Sequence, residues 1–108
     1  MKINRIFFLP DAEDDIFNIY KYNDKNYSSE NALKTVREIK TTISNLKNFP
    51  NIGNMPPELE RIDIYEYREV HFSPYRIIYQ IIGENIYIHC ILDSRRDIRS
   101  LLMERFLN

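Results

Sequence analysis

Arginines gather near the end of the chain in a pattern that suits anion binding. The stretch from Ser73 to Leu102 reads SPYRIIYQIIGENIYIHCILDSRRDIRSLL, with Arg95, Arg96 and Arg99 just after its last apolar run. Guanidinium groups form paired hydrogen bonds with phosphate or carboxylate. Three uses fit this pattern: chemistry on a phosphate, capture of an acidic partner, or simple solvation of the surface.

A fourth arginine, Arg76, is predicted to join this group. Arg76 lies in the apolar run before the glycine turn, and Arg95 and Arg96 follow the run after it. In an antiparallel hairpin the start of one strand lies beside the end of the next, so we expect the three side chains to form one patch. An external anion would neutralise that patch. Nearby carboxylates are the internal alternative: Glu69, Asp93 and Asp97.

The two histidines are weaker candidates for chemistry. His71 and His89 each alternate with apolar neighbours, which predicts exposed positions on β-strands. No Asp or Glu lies at a metal-ligand spacing from either histidine, so we predict no metal site and no cofactor. General acid–base use of a histidine stays open as an alternative to a plain surface role.

Cysteine and tyrosine have plainer interpretations than catalysis. Cys90 is the only cysteine, and its alternation with Ile86, Ile88 and Leu92 predicts a small core residue. Five tyrosines in the second half of the chain would suit base stacking beside arginines, as in proteins that bind single-stranded RNA. Tyrosine also favours half-buried strands, and we prefer that interpretation for the set: Tyr65, Tyr67, Tyr75, Tyr79 and Tyr87.

The length and the net charge of the chain limit its possible folds and partners. The chain has 108 residues, so we expect a single domain over residues 1–108. Its formal net charge is −1, which gives the whole protein no long-range attraction for nucleic acid. No apolar stretch is long enough to span a bilayer, and the first residues lack a signal-peptide pattern. We therefore predict a cytoplasmic protein with no membrane partner.

The first half of the chain predicts a strand followed by two helices. The segment from Ile3 to Leu9 is rich in β-forming residues, and Pro10 ends it. We predict that Asp11 caps the first helix and that a second helix begins at Ser28 or Ser29. The short connection between the helices predicts an antiparallel hairpin. The second helix has the clearest apolar stripe: Leu33, Val36, Ile39, Ile43 and Leu46.

The second half predicts a sheet and a closing helix. After an irregular loop, PNIGNMPPELE, apolar runs are separated by turns at Ser73-Pro74 and at residues 83–85. This pattern indicates an antiparallel β-meander. Helical spacing then marks a short C-terminal helix through Ile98, Leu101, Leu102 and Phe106. Together these elements predict an α+β domain with the helix hairpin packed on one face of the sheet.

Several segments taken together resemble the RelE/ParE superfamily of bacterial toxin–antitoxin toxins. They are PELE, REVHFSPYRIIYQI and IHCILDSRRDIRSLL, together with a Phe-Pro-x-x-Gly exit from the helix hairpin at residues 49–53. Their order and spacing cover nearly the whole chain. The resemblance implies a RelE/ParE-like fold and a toxin that a cognate antitoxin neutralises. It also implies a homodimer or a toxin–antitoxin heterotetramer as the assembly.

The superfamily contains two activities. RelE-like members cut mRNA on the ribosome, with basic and aromatic side chains in place of a metal, whereas ParE-like members poison DNA gyrase. Arg76 and Arg96 match the arginines that RelE-type enzymes use on the phosphate. If the chain is a nuclease, the resemblance implies that Arg76 and Arg96 hold the phosphate. Attack by a 2′-hydroxyl also needs a base, for which Glu69 and His71 are the candidates.

Three departures favour the ParE-like branch. Tyr67 and Glu69 stand where RelE-type enzymes carry lysines, and Leu102 stands where they carry a tyrosine. An anion in place of a cation opposes RNA binding, and arginine cannot readily take a proton. We therefore predict a gyrase inhibitor with no catalytic residues; the alternatives are an mRNA endonuclease acting on the ribosome and a degenerate toxin that only binds its antitoxin. The predicted partner-binding residues are Tyr75, Arg76, Arg95, Arg96 and Arg99.

Overall fold

A mixed four-stranded sheet forms the centre of the molecule. The computed structural model describes residues 2–107, with strands β1 (Arg5–Phe8), β2 (Tyr67–Phe72), β3 (Tyr75–Ile82) and β4 (Asn85–Asp93). Their order across the sheet is β1-β4-β3-β2. The last three strands form the predicted antiparallel meander. β1 lies parallel to β4, a pairing that the sequence analysis did not predict.

Helices cover both faces of this sheet. The predicted hairpin consists of α1 (Pro10–Asn26) and α2 (Ser29–Ser44), followed by one 3₁₀ turn at Asn45–Lys47. The short helix α3 (Pro57–Glu60) and the C-terminal helix α4 (Ile98–Leu107) pack on the other face. This arrangement confirms the predicted α+β fold, although α3 lies in the loop predicted to be irregular. Within residues 2–107, no helix has the length and apolar character needed to cross a membrane.

Two apolar clusters join the layers. The larger lies between the hairpin and the sheet, and Ile39, Ile77 and Ile88 are at its centre. The smaller lies between the sheet and the pair α3 and α4. Ile77 and its neighbour Ile78 belong to different clusters because successive side chains of a strand point to opposite faces. Leu33, which the α2 stripe predicted to be buried, is 54% exposed.

The ends of the first three elements differ in part from the prediction. α2 begins at Ser29, within the predicted range, and Ser28 caps it: the Ser28 hydroxyl accepts a hydrogen bond from the Asn31 backbone N–H at 3.0 Å. The prediction that Asp11 caps α1 was wrong: the cap residue is Leu9, and Pro10 occupies the first turn. Proline suits that position because the first N–H groups of a helix have no partner within the helix. β1 is also shorter than the predicted strand over residues 3–9.

A β-bulge in β4 changes the face on which its later side chains lie. The register pairs Ile78 with Cys90 and leaves His89 without a residue opposite it. A bulge of this kind reverses the alternation of the strand beyond it. Ile88 therefore packs under the hairpin, whereas Cys90 packs on the α4 side. Cys90 is buried as predicted, but on the face opposite to Ile86 and Ile88.

Candidate partner-binding site

Two carboxylates enclose Arg76, the arginine that the nuclease alternative would use on phosphate. Its Nη1 and Nη2 donate to the two carboxylate oxygens of Glu58, both at 2.8 Å. Its Nε donates to Oε1 of Glu69 at 2.6 Å. Helix α3 supplies Glu58, the neighbouring strand β2 supplies Glu69, and the Arg76 side chain is only 12% exposed. The guanidinium is therefore held by the fold and is not presented to a ligand.

The pairing of Glu58 with Arg76 favours the charged form of both groups. The hydrogen bonds from Arg76 lower the pKa of Glu58 below its ordinary value, against the opposing effect of burial. The same bonds, with those to Glu69, raise the pKa of Arg76. The PELE segment carried part of the family resemblance, but Glu58 was not among the predicted site residues. An acidic residue shortly before the meander was the available signal, yet nothing local indicated its partner.

The structure brings together three of the four nuclease candidates. His71 Nε2 lies 3.3 Å from the Glu69 carboxylate that also binds Arg76. Glu69 is nearly fully buried, and one of its carboxylate oxygens already accepts a hydrogen bond from the Arg76 guanidinium, so little of this carboxylate is accessible to a substrate hydroxyl. Arg96, the fourth candidate, lies apart from them in the connection between β4 and α4.

Arg95 and Arg96 line a concave cavity of about 570 Å³ between α1 and α4. Arg95 donates from Nε and Nη2 to the carboxylate of Asp93, at 3.0 and 2.6 Å. Within residues 2–107, no carboxylate oxygen lies within 4.0 Å of Arg96 or of Arg99, which is exposed in the first turn of α4. The local carboxylates thus neutralise one of these three arginines by direct pairing.

Tyr75 belongs to this cavity, whereas Arg76 does not. Tyr75 forms part of the cavity wall, and its hydroxyl accepts a hydrogen bond from Asn23 Nδ2 of α1 at 3.2 Å. The next residue of β3, Arg76, points to the opposite face of the sheet and reaches α3. The predicted group therefore divides into two: Arg76 on the α3 side, and the other arginines at the end of β4.

A second ion pair, Asp15 with Arg105, forms part of the cavity wall, and neither residue was predicted to belong to a site. β1 pairs with β4 only as far as Ile88, so no strand covers the rest of that edge. Asp15 of α1 takes the place of a strand there, because its Oδ2 accepts a hydrogen bond from the Ile91 backbone N–H at 2.9 Å. Arg105 of α4 donates to both oxygens of Asp15, at 2.6 and 3.2 Å. The pair joins helices from opposite faces of the sheet.

His89 and Cys90 are shielded by the fold. The prediction that His89 is exposed was wrong: its ring is half-buried, 4.9 Å from the Tyr67 ring and 5.7 Å from the Phe106 ring between centroids. Burial lowers the pKa of His89 and raises the pKa of the Cys90 thiol to about 12, so neither is poised as a charged group. In the described part of the chain, no cluster of three potential metal-ligating side chains occurs.

Comparisons with known proteins identify a family and a similar fold. The family model described as "ParE toxin of type II toxin-antitoxin system, parDE" matches residues 6–98. A solved structure titled "Chromosomal ParDE TA system from P. aeruginosa" is similar with a TM-score of 0.70 and 22% sequence identity, over 84% of this chain and 95% of that chain. At this identity the similarity shows a shared fold. None of the curated proteins matches the sequence. Because the family model spans most of the chain, this protein belongs to the ParE toxin family of type II toxin–antitoxin systems.

Proposed function

We propose that this protein is a cytoplasmic toxin that inhibits DNA gyrase and is neutralised by a cognate antitoxin. Membership of the ParE toxin family supports the toxin role. The observation that favours gyrase over mRNA as the target is the enclosure of Arg76 by Glu58 and Glu69. An enzyme that cleaves RNA needs cations free to meet the developing negative charge on the phosphate.

The charge around Arg76 opposes a phosphate ligand. A phosphate would have to displace Glu58 from two hydrogen bonds of 2.8 Å and then lie beside the carboxylate of Glu69. A phosphate in contact with the Glu69 carboxylate in a partly buried site would be strongly repelled by it. Proton transfer is also poorly served, since guanidinium stays protonated and each missing acid or base typically costs on the order of 10²–10⁴-fold in rate.

The free arginines instead suit contact with another protein. Arg96 and Arg99 are exposed where β4 passes into α4, and Arg95 lies beside them with its charge paired to Asp93. Arginine is enriched among the residues that dominate the energy of protein interfaces. We call Arg95, Arg96 and Arg99 the arginine surface and propose that it contacts the target, with Tyr75 supporting it from the cavity wall.

The test of the target uses purified protein in two assays. We expect the wild-type chain to block supercoiling of relaxed plasmid by gyrase, or to trap its cleaved DNA complex, while ribosome-bound mRNA stays intact. Arg99→Glu should raise the concentration needed for inhibition by about 10-fold, because charge reversal at an interface weakens complementarity. Arg5→Glu is the matched control, since Arg5 is an exposed arginine on β1 outside the arginine surface.

Unimpaired supercoiling together with cuts in ribosome-bound mRNA that disappear in Arg76→Ala would contradict the gyrase target. Equal loss of inhibition in Arg99→Glu and Arg5→Glu would leave gyrase as the target but contradict the arginine surface as the contact. Circular dichroism of each variant separates a lost contact from a lost fold.

The antitoxin is tested in cells. We expect growth to stop when the chain is expressed alone and to resume when the short reading frame beside its gene is co-expressed. Unchanged growth together with formation of a stable complex would indicate a degenerate toxin that only binds its antitoxin. Unchanged growth without any complex would contradict the toxin role itself.

A further inference from the structure

We propose that the cavity between α1 and α4 binds an extended segment of the antitoxin that inserts one carboxylate group beside an apolar side chain. This inference rests on the proposed antitoxin and adds the chemistry by which the toxin recognises it. The cavity takes its positive charge from Arg95 and Arg96 of the arginine surface and from Arg105, and its apolar wall from residues of α1, β3 and β4.

The net charge of the cavity lining is complementary to a single anionic group. Its lining contains three arginines and two aspartates, so the formal balance is 3 − 2 = +1. Two arginines are already paired, Arg95 with Asp93 and Arg105 with Asp15. Arg96 is the cation that remains, because within residues 2–107 no carboxylate lies within 4.0 Å of it. One carboxylate of a partner would complete the pairing.

The uncharged part of the lining suits an apolar group of the partner, placed next to the partner's carboxylate. The apolar and aromatic residues that line the cavity are Ile19, Tyr22, Tyr75, Ile91 and Leu92. Tyr22 is 51% exposed, so an occupant would bury apolar surface that water now covers. A residue pair of one acidic and one aliphatic or aromatic side chain matches both parts of the lining.

The size and shape of the cavity favour an extended segment over a folded surface. A volume of about 570 Å³ holds a few side chains. A helix with its side chains is about 10–12 Å across and would not enter a cavity of this volume as a whole. A short partner that becomes ordered on binding can place successive side chains into such a cavity. We therefore assign the cavity to the antitoxin and not to the broad surface of a folded target enzyme.

The walls of the cavity are held in place before any partner binds. Asp15 joins α1 to the backbone of β4 and to Arg105 of α4, and Tyr75 is hydrogen-bonded to Asn23. A preformed site loses little conformational entropy on binding. A segment seated there would also cover Arg96, which belongs to the arginine surface proposed to contact gyrase. Covering that residue would account for neutralisation.

The experiment measures binding of the purified protein encoded beside this gene to the full-length toxin by calorimetry. Arg96→Glu should weaken binding by about 10- to 100-fold, since it places an anion where the cavity needs a cation. Arg5→Glu makes the same charge change outside the cavity and should alter the affinity by less than about 3-fold.

A second pair of variants tests the shape of the cavity without changing its charge. Asn18→Trp fills the cavity mouth and should weaken binding about 10-fold, while Phe17→Trp on the exposed face of α1 should not.

The outcomes separate this inference from the proposed function. If wild type binds its neighbour-encoded partner and Arg96→Glu and Asn18→Trp bind as tightly, the cavity assignment is wrong while the toxin–antitoxin role stands. If wild type binds no such partner and is not neutralised, the proposed function fails and the inference fails with it. If an acidic-to-arginine change in the partner restores binding to Arg96→Glu, that residue supplies the inserted carboxylate.

Discussion

Glu58 and Arg76 are joined by two parallel hydrogen bonds of 2.8 Å that connect helix α3 to the centre of the sheet. The paired geometry matches a planar guanidinium to a carboxylate and is among the strongest arrangements of charged groups in proteins. Together with the buried side chain of Leu59, it attaches the 4-residue helix α3 to the sheet.

Removing the Glu58 carboxylate should destabilise the fold. In Glu58→Gln the half-buried guanidinium of Arg76 loses a charged partner, and we expect the free energy of unfolding to fall by about 1–3 kcal/mol. Urea unfolding followed by circular dichroism measures the change. Glu60→Gln is the control, because Glu60 is exposed on the same helix and should cost less than about 0.5 kcal/mol. Equal losses in the two variants would show that the pair does not stabilise the fold.

The contribution of Glu58 should depend on pH in a defined direction. Arg76 lowers the pKa of Glu58 in the folded state below its ordinary value of 4.5. A depressed folded pKa gives stability that is fully present above the unfolded value and is lost as pH falls through the folded value. The difference in unfolding free energy between wild type and Glu58→Gln should therefore be constant from about pH 6 to 8 and shrink below about pH 4. A difference that grows on acidification would contradict this.

Gly53 should tolerate no side chain. A Cβ at this position would lie 2.5 Å from the Glu69 carbonyl oxygen and 2.6 Å from Tyr79 Oη, which holds the loop through hydrogen bonds to Gly53 and Pro50. We expect Gly53→Ala to lower the free energy of unfolding by about 1–3 kcal/mol. Gly83→Asn is the comparison: Gly83 has a φ of +62° but open space, and asparagine tolerates that conformation. The prediction fails if Gly53→Ala is the milder change.

Asp15 should control the attachment of α4. In Asp15→Asn an amide oxygen can still accept the Ile91 N–H, but the ion pair with Arg105 is lost. We expect a loss of about 1–3 kcal/mol in unfolding free energy and faster amide hydrogen exchange across residues 98–107. Asp14→Asn, an exposed neighbour on the same helix, should leave both measurements unchanged. Unaltered exchange in α4 of Asp15→Asn would show that apolar packing alone retains the helix.

Local patterns in the sequence determined the secondary structure and the order of the elements. Apolar spacing distinguished the helices from the strands, Ser28 marked the start of α2, and two short turns specified the meander. These signals succeed because helix periodicity, capping and tight turns depend on residues within a few positions of one another. The family resemblance was carried by the same ordered segments.

Tertiary structure alone decided which charged groups meet. The bulge in β4 placed Cys90 on the other face, the parallel pairing of β1 ended early, and Asp15 met Arg105 across 90 positions of sequence. Arg76 likewise bonds to Glu58, 18 residues earlier, and not to a ligand beside Arg96. Charge pairing acts through space and depends on how the layers pack, so the sequence provided the arginines while the fold determined which of them is left for a partner.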